Sequence, residues 1–231
     1  HSATRYGGDR PSCREIKSMN IDQILQRAPV IPVIVIEDLD DAVPLAQALV
    51  NGGLPALEIT LRTPAAMPAI RDIAQSVENA IVGVGTATSA SQLREAVDAG
   101  AVFAVSPGLT DTLADASRDL DLPFLPGVFT PSDVMRARDL GFDALKLFPA
   151  ELAGGVDMLK ALAGPFPDTV FCPTGGISGE NMERYLALPN VAAVGGSWVC
   201  RANAFAARDW NRITLLAKAA SDRVCRATES T

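Results

Sequence analysis

The sequence predicts a single α/β domain folded as a (β/α)8 TIM barrel. From residue 21 onward, short apolar runs alternate with amphipathic stretches, which is the pattern of parallel strands joined by helices. Eight such units in about 190 residues suit a compact barrel. A doubly wound open sheet is the alternative, but no Gly-x-Gly-x-x-Gly opens the first unit, and residues 81–86 carry only two of its three glycines.

The predicted elements follow in chain order. The eight strand candidates are residues 30–36, 56–61, 80–85, 102–107, 123–128, 144–149, 170–176 and 191–197, and the clearest helices are 40–51, 89–99, 131–140 and 179–187. Gly52, Gly100 and Gly141 stand where three helices should end, because glycine tolerates the left-handed backbone of a helix stop. Thr130 followed by Pro131 is typical of a helix start.

Residues 1–18 are polar, lack periodicity and have no apolar core of the kind found in a secretory signal. We interpret them as a disordered extension or an expression remnant, with Met19 as a plausible native start. The barrel domain is therefore expected over residues 19–231. No apolar run approaches the length of a membrane span.

Composition narrows the classes of function. The chain is 48% hydrophobic and has a net charge of −7, which argues against a nucleic-acid or anionic-membrane partner. Its only histidine is His1, so neither a histidine-rich metal site nor a histidine base is expected, and a carboxylate-only metal site has no support. The cysteines Cys13, Cys172, Cys200 and Cys225 form no Cys-x-x-Cys pair and are predicted to be free thiols in a reducing compartment, which indicates a cytoplasmic protein.

Lys146 is the most informative residue. It lies inside the apolar run 144–149, whereas Lys17, Lys160 and Lys218 lie in a polar tail or in helix-like segments. Loss of hydration disfavours the ammonium form and favours a neutral amine that can attack a carbonyl. The alternative is an ordinary lysine whose side chain reaches solvent from the end of a strand.

The period of two along a strand predicts which side chains face the barrel interior. In the second strand Glu58, Thr60 and Arg62 share one face, and in the sixth Lys146 and Phe148 do so together with Ala144. Active sites of barrels lie at the carboxyl ends of the strands. Glu58 and Arg62 are therefore candidates for the barrel mouth, unless they form only a structural ion pair.

Other strands end in residues with two interpretations. Thr86 ends the third strand and could be a helix cap, and Ser106-Pro107-Gly108 after the fourth could be only a turn. Strands seven and eight end in Thr174-Gly175-Gly176 and Gly195-Gly196-Ser197. Glycine-rich turns at these two positions are where barrels bind phosphate through backbone N–H groups, although tight turns without a ligand are the alternative.

Several motifs together resemble the 2-keto-3-deoxy-6-phosphogluconate (KDPG) aldolases, also called KHG/KDPG aldolases. The resemblance runs from about residue 21 to about residue 220. Its motifs are Leu57-Glu58-Ile59-Thr60-Leu61-Arg62-Thr63, Val82-Gly83-Val84-Gly85-Thr86, Phe103-Ala104-Val105-Ser106-Pro107-Gly108, Lys146-Leu147-Phe148-Pro149-Ala150-Glu151 and Phe171-Cys172-Pro173-Thr174-Gly175-Gly176-Ile177. The resemblance implies a metal-independent, cofactor-free class I aldolase on a (β/α)8 barrel, usually trimeric, with small-molecule substrates.

The resemblance also implies a role for each matched residue. Lys146 would form the Schiff base and Glu58 would be the general acid and base. The implied substrate contacts are Arg62 and Thr86 near the carboxylate, Pro107 and Phe148 along the pocket wall, Thr174 near the imine, and Gly175, Gly176, Gly196 and Ser197 at the distal phosphate. The residue at the position of Phe129 is commonly smaller in such proteins. If the Phe129 side chain points into the barrel mouth, it would narrow the pocket.

The implied reaction splits KDPG into pyruvate and glyceraldehyde 3-phosphate, a step of the Entner–Doudoroff pathway, with 4-hydroxy-2-oxoglutarate as a further substrate. Two alternatives stay open. One is a Schiff-base aldolase for a stereoisomeric sugar acid phosphate of the galactonate type. The other is a non-catalytic phosphosugar-binding barrel, which would have no need of a dehydrated lysine beside a carboxylate.

Overall fold

Parallel pairing joins nine short strands in a computed structural model, which describes residues 15–16, 18–200 and 202–228. The strands are β1 (Val30–Ile34), β2 (Ala56–Thr60), β3 (Ile81–Gly85), β4 (Phe103–Val105), β5 (Phe124–Leu125), β6 (Gly127–Val128), β7 (Ala144–Leu147), β8 (Val170–Phe171) and β9 (Val194–Gly196). Their spatial order is β5-β4-β3-β2-β1-β9 in one sheet and β6-β7-β8 in another.

The two sheets close into one barrel. β5 and β6 belong to a single run, which is interrupted only at Pro126, where proline has no N–H to donate to a neighbouring strand. The other seam is crossed by parallel bridges that pair Phe171 with Val191 and Thr174 with Gly195. The nine strands therefore occupy eight barrel positions. This confirms the predicted (β/α)8 barrel over the open sheet.

Helices surround the barrel. They are α1 (Ile21–Leu25), α2 (Ala42–Asn51), α3 (Ala66–Ser76), α4 (Ala90–Ala99), α5 (Asp111–Asp119), α6 (Pro131–Asp139), α7 (Gly155–Ala163), α8 (Met182–Leu186), α9 (Ala202–Ala206) and α10 (Trp210–Thr228). The four helices predicted most clearly are α2, α4, α6 and α8, and each is shorter than predicted. α2, for example, begins only after a 3-10 turn at Leu39–Asp41.

The predicted helix ends are mostly confirmed. Thr130 caps α6 in a capping box with Asp133, and Pro131 occupies the first turn. Gly100 ends α4 in the left-handed conformation, with φ 101°. Gly52 ends α2 as predicted, with a φ of −81°, and the left-handed backbone lies at the following Gly53, with a φ of 87°.

Alternation along the strands divides the core into two layers. Leu145 and Leu147 are fully buried in the large cluster that includes the helices, whereas Ala144 belongs to a smaller cluster inside the barrel. Phe103 fills that interior beside Gly83, where a Cβ atom would lie 2.3 Å from the Phe103 ring. Apolar side chains thus close the barrel floor and leave its inward positions near the carboxyl ends for polar groups.

The amino-terminal extension predicted over residues 1–18 lies mostly outside the described residues. Of the residues that are described there, Ile16 is buried in the same interior cluster as Met19. In the part of the chain described here, no helix is both long enough and apolar enough to cross a membrane.

Candidate active site

Lys146 and Glu58 meet inside the barrel. The Lys146 Nζ donates a hydrogen bond of 3.2 Å to Glu58 Oε1, and the two residues are 5% and 2% exposed. β7 and β2 present them from different sides of the barrel, with both side chains directed inward, as the period of two predicts. The alternative of a lysine that reaches solvent is wrong, and Glu58 makes its ion pair with Lys146 rather than with Arg62.

The walls around this pair fit closely. A Cβ atom on Gly85 would lie 2.4 Å from both Cγ and Oε1 of Glu58, so glycine is required for the carboxylate to occupy its position. The Phe148 ring lies with its centroid 5.1 Å from Lys146 Nζ, within the range of a cation–π contact. The pair is therefore held in a dry and well-defined environment.

Cys172 is a buried neighbour that the sequence did not assign to the site. Burial raises the pKa of its thiol from 9.0 to about 12, helped by the charge of Glu58 and opposed by that of Lys146. The thiol therefore stays protonated at neutral pH and does not compete with Lys146 as a nucleophile. Within the described residues, Cys172 and Cys200 are free thiols, as predicted. Cys13 and the side chain of Cys225 lie outside the described part.

Thr60 shares the inward face with Glu58 but has a structural partner. Its hydroxyl donates a hydrogen bond of 2.7 Å to the carbonyl of Ile34 in β1 and is fully buried. This bond ties two adjacent strands directly beside Glu58. Thr60 therefore stabilises the carboxyl ends of the strands, and its hydroxyl is not directed at a ligand.

Arg62 lies two residues after the end of β2, on the same side of the barrel as Glu58. Arg62 is exposed, and its backbone N–H donates to the carbonyl of Thr60 at 2.8 Å. Among the described residues its guanidinium has no hydrogen-bonded or ion-paired partner. A fixed positive charge thus stands at the mouth, next to the strand that supplies the buried carboxylate.

Thr86 directly follows β3 and has an unusual backbone. Its φ of 59° lies in the left-handed region, where a β-branched residue is strained by about 1–3 kcal/mol. The alternative that Thr86 caps a helix is wrong, because Ser89 caps α4 and forms its capping box with Gln92. The surrounding structure imposes this backbone on the half-buried Thr86 at the mouth, directly after β3.

Pro107 is exposed on the turn after β4. The Ser106 hydroxyl donates to the carbonyl of Gly108 at 2.6 Å, so this segment is indeed a turn. The turn packs on Gly127 of β6, where a Cβ atom would lie 2.3 Å from the carbonyl of Pro107. Phe129, 42% exposed, lines a cavity of about 240 Å³ with Pro107, beside the mouth.

The two glycine-rich turns lie side by side. The bridge between Thr174 and Gly195 joins them, and a Cβ atom on Gly195 would lie 2.1 Å from Thr174 Oγ1. Gly175 and Gly176 have φ values of 101° and 82°, which favour glycine. The structure thus brings Gly175 and Gly176, which follow β8, together with Gly196 at the end of β9 and the exposed Ser197 after it.

A larger cavity of about 480 Å³ lies at the opposite end of the barrel. It is lined by residues that precede β3 and β4, such as Val77, Asn79 and Gly100. It contains none of the predicted site residues, and barrel chemistry belongs at the other end. Within the described residues no group of three histidine, cysteine, aspartate or glutamate side chains is placed to hold a metal ion.

Comparisons with known proteins agree on one family. The sequence model described as KDPG and KHG aldolase matches residues 21–216. A 2-dehydro-3-deoxy-phosphogluconate aldolase of Pseudoalteromonas atlantica is 52% identical over 197 residues, which cover 85% of this chain and 92% of that protein. A KHG/KDPG aldolase of Escherichia coli is 51% identical over 199 residues, covering 86% and 93%.

A solved structure extends the comparison to three dimensions. It is a KDPG aldolase from Legionella pneumophila with pyruvate captured at low pH as a covalent carbinolamine intermediate. It is 45% identical to this chain, has a TM-score of 0.86, and the match covers 88% of this chain and 98% of the other.

Proposed function

Because the chain belongs to the KDPG and KHG aldolase family, we propose that it is a class I aldolase, a lyase that cleaves KDPG into pyruvate and glyceraldehyde 3-phosphate. The observation that carries this proposal is the buried contact of 3.2 Å between Lys146 Nζ and Glu58 Oε1. It joins a nucleophile and a proton acceptor in a water-poor site. The relative from Legionella pneumophila holds pyruvate as a carbinolamine, which is the first covalent species of this route.

The proposed reaction begins at Lys146. Glu58 accepts a proton from Lys146 Nζ, and the neutral amine attacks the C2 ketone of the substrate. Glu58 returns that proton to the hydroxyl of the carbinolamine, which leaves as water to give an iminium ion. Glu58 then takes the proton of the C4 hydroxyl. The C3–C4 bond breaks, its electron pair passes to the iminium to form an enamine, and glyceraldehyde 3-phosphate leaves. Glu58 returns the proton to C3, and water releases pyruvate and restores the amine.

The substrate carboxylate is assigned to Arg62 and Thr86. An exposed guanidinium without a partner in the described chain is suited to a bidentate pair with a carboxylate. Thr86 follows β3, which is bonded to the segment that leads to Arg62 through the Leu61 N–H and the Gly85 carbonyl, at 2.9 Å. Pro107 and Phe148 form the wall of the same pocket, and the Phe148 contact with Lys146 Nζ supports that assignment.

The distal phosphate is assigned to Gly175, Gly176, Gly196 and Ser197. Two glycine-rich turns placed side by side offer backbone N–H groups and one exposed hydroxyl, which is the chemistry that binds phosphate in barrels. Thr174, buried between these turns and the interior, is assigned to contact the substrate near the imine. Local donors thus bind an anion although the whole chain is acidic.

The remaining proposals concern substrate range and assembly. Activity on 4-hydroxy-2-oxoglutarate is proposed because one relative is named a KHG/KDPG aldolase. The galactonate-type alternative is less favoured, since relatives with half of their residues identical carry the gluconate name. A homotrimer is proposed from the family resemblance, a cytoplasmic location from the widely spaced cysteines, and a barrel domain over residues 19–231 from the polar, aperiodic segment that precedes it. Light scattering after size-exclusion chromatography tests the trimer.

A direct assay tests the function. Purified protein is mixed with KDPG, and pyruvate release is followed through lactate dehydrogenase and NADH. Turnover with KDPG that exceeds turnover with its C4 epimer supports the proposal. Equal or greater turnover of the epimer would favour the galactonate-type alternative, and no turnover of either would favour a binding barrel. That last alternative leaves unexplained why Lys146 is buried beside Glu58 at a cost in desolvation.

A further inference from the structure

Glu151 is a carboxylate that the proposed reaction does not use, yet it lies directly behind the proposed phosphate-binding turn. A Cβ atom on Gly176 would lie 2.4 Å from Glu151 Cγ. The backbone N–H of Glu151 donates to the carbonyl of Gly175 at 3.1 Å, and that of Ala150 donates to the carbonyl of Thr174 at 2.8 Å. The segment that follows Lys146 is therefore bonded, residue by residue, to the turn that follows β8.

Asn181 fixes the same turn from the other side. Its Nδ2 donates to the carbonyl of Gly176 at 3.0 Å and to Glu151 Oε1 at 3.3 Å. Its Oδ1 accepts from the backbone N–H of Ser178 at 2.8 Å. The Asn181 side-chain amide thus bonds both to the carbonyl of Gly176 and to the backbone of Ser178 in the loop that follows, and it links them to Glu151.

Tyr185 of α8 completes the group. Its ring is buried, and its hydroxyl donates a hydrogen bond to Glu151 Oε1. Burial, together with this hydrogen bond and the charge of Glu151, raises the pKa of Tyr185. The hydroxyl therefore remains a donor at any pH at which the enzyme is studied, and it restrains the carboxylate on which Asn181 depends.

We propose that Glu151, Asn181 and Tyr185 are positioning residues that hold the Gly175–Gly176 turn at a fixed distance from Lys146, and so set the preference for phosphorylated over unphosphorylated substrates. The inference rests on the proposed function. It deepens that function because it explains how the Gly175–Gly176 turn is kept at a fixed distance from Lys146. A phosphorylated substrate must reach Lys146 and the Gly175–Gly176 turn at the same time, so its binding depends on this distance. A short substrate such as 4-hydroxy-2-oxoglutarate does not reach the turn.

The test is the variant Asn181→Asp. The variant keeps a side-chain oxygen that accepts from the N–H of Ser178. It replaces the Nδ2 donor with a carboxylate oxygen, which the carbonyl oxygen of Gly176 and the carboxylate of Glu151 both repel. We expect KM for KDPG to rise about tenfold or more. The kinetics with 4-hydroxy-2-oxoglutarate and the rate of borohydride trapping of pyruvate on Lys146 should stay within about twofold.

Matched variants separate positioning from general damage. Asn51→Asp introduces the same charge at an exposed site on α2 and should change nothing. Glu151→Gln added to Asn181→Asp removes the repulsion between residues 151 and 181 and supplies an amide donor, while the repulsion from the Gly176 carbonyl remains. It should therefore recover part of the loss for KDPG. Tyr185→Phe deletes only the hydroxyl and should raise KM for KDPG in the same direction, which keeps the test valid if Asn181→Asp does not fold.

The outcomes distinguish the two levels of the proposal. Equal losses for both substrates, or no change for KDPG in either Asn181→Asp or Tyr185→Phe, would overturn the positioning role and leave the aldolase intact. A wild-type protein that neither turns over KDPG nor traps pyruvate would overturn the proposed function, and the positioning role with it.

Discussion

Lys146 Nζ lies 3.2 Å from Glu58 Oε1, although the two residues are 88 positions apart in the chain. The contact joins β7 to β2 across the interior of the barrel, where neither side chain meets bulk water. A buried lysine and a buried glutamate without a reaction to perform would be a costly arrangement. The contact therefore makes the pair the centre of the proposed chemistry.

Replacement of the lysine should abolish turnover. In Lys146→Arg the positive charge remains, but a guanidinium cannot lose its proton to become a nucleophile. We expect pyruvate release to fall to background while the circular dichroism spectrum keeps its α/β form. Lys160→Arg, at an exposed site on α7, is the matched control and should be unchanged. Appreciable turnover by Lys146→Arg would contradict a Schiff-base role.

Loss of the proton acceptor should slow turnover without stopping it. Glu58→Gln keeps a side-chain oxygen for Lys146 but cannot take a proton from the C4 hydroxyl. The expected decrease in kcat is about 10²–10⁴-fold, which is typical for a general acid or base. Glu78→Gln, exposed at the opposite end of the barrel, serves as the control. A nearly wild-type Glu58→Gln would show that another group moves the proton.

A negative charge at the proposed phosphate site should discriminate between substrates. Ser197→Asp places a carboxylate where the phosphate is expected to bind, so KM for KDPG should rise by about tenfold or more through repulsion. Steady-state kinetics with 4-hydroxy-2-oxoglutarate should be nearly unchanged. Ser76→Asp, exposed at the end of α3, controls for the added charge. If both substrates weaken equally, Ser197 does not contact the phosphate.

Cys172 should make stability depend on alkaline pH. Its folded-state pKa is raised from 9.0 to about 12, so the unfolded chain loses this proton first. The stabilising difference is complete below pH 9 and is lost as the pH rises toward 12. At pH 10 the loss should be on the order of 1 kcal/mol. Urea unfolding at pH 8 and pH 10 measures it.

The variant Cys172→Ala isolates that effect. Other groups also titrate at alkaline pH, but they do so in both proteins, so the difference in pH dependence belongs to the thiol. We expect the variant to lose less stability than the wild type between pH 8 and pH 10. Identical pH dependence in the two proteins would mean that the thiol ionises equally in the folded and unfolded chains.

The sequence predicted the barrel because its signals are local. Apolar runs and helix ends such as Thr130-Pro131 reflect the backbone within a few residues. The same locality explains the errors. Pro126 divides a strand candidate in two because it has no N–H to donate to a partner strand. The effect depends on the partner strand, which the local sequence does not specify. The left-handed backbone lies at Gly53, one residue after the helix end at Gly52, and two adjacent glycines do not reveal which of them adopts it.

The candidate site was predictable in identity but not in geometry. The period of two placed Glu58 and Lys146 on inward faces. The distance between their side chains depends on the positions of β2 and β7 around the closed barrel, which strand pairing sets. The contacts of Glu151 with Asn181 and Tyr185 connect segments about 30 residues apart. Long-range hydrogen bonds of this kind leave no pattern in a single sequence.

The most direct test of the central claim is to trap the Schiff base. The protein is incubated with pyruvate and sodium borohydride, digested, and searched for the modified peptide by mass spectrometry. A reduced pyruvyl adduct on Lys146, absent without pyruvate, is the predicted result. A folded protein that yields no adduct, or one that carries the adduct on Lys160 or Lys218, would contradict the assignment of Lys146 as the nucleophile.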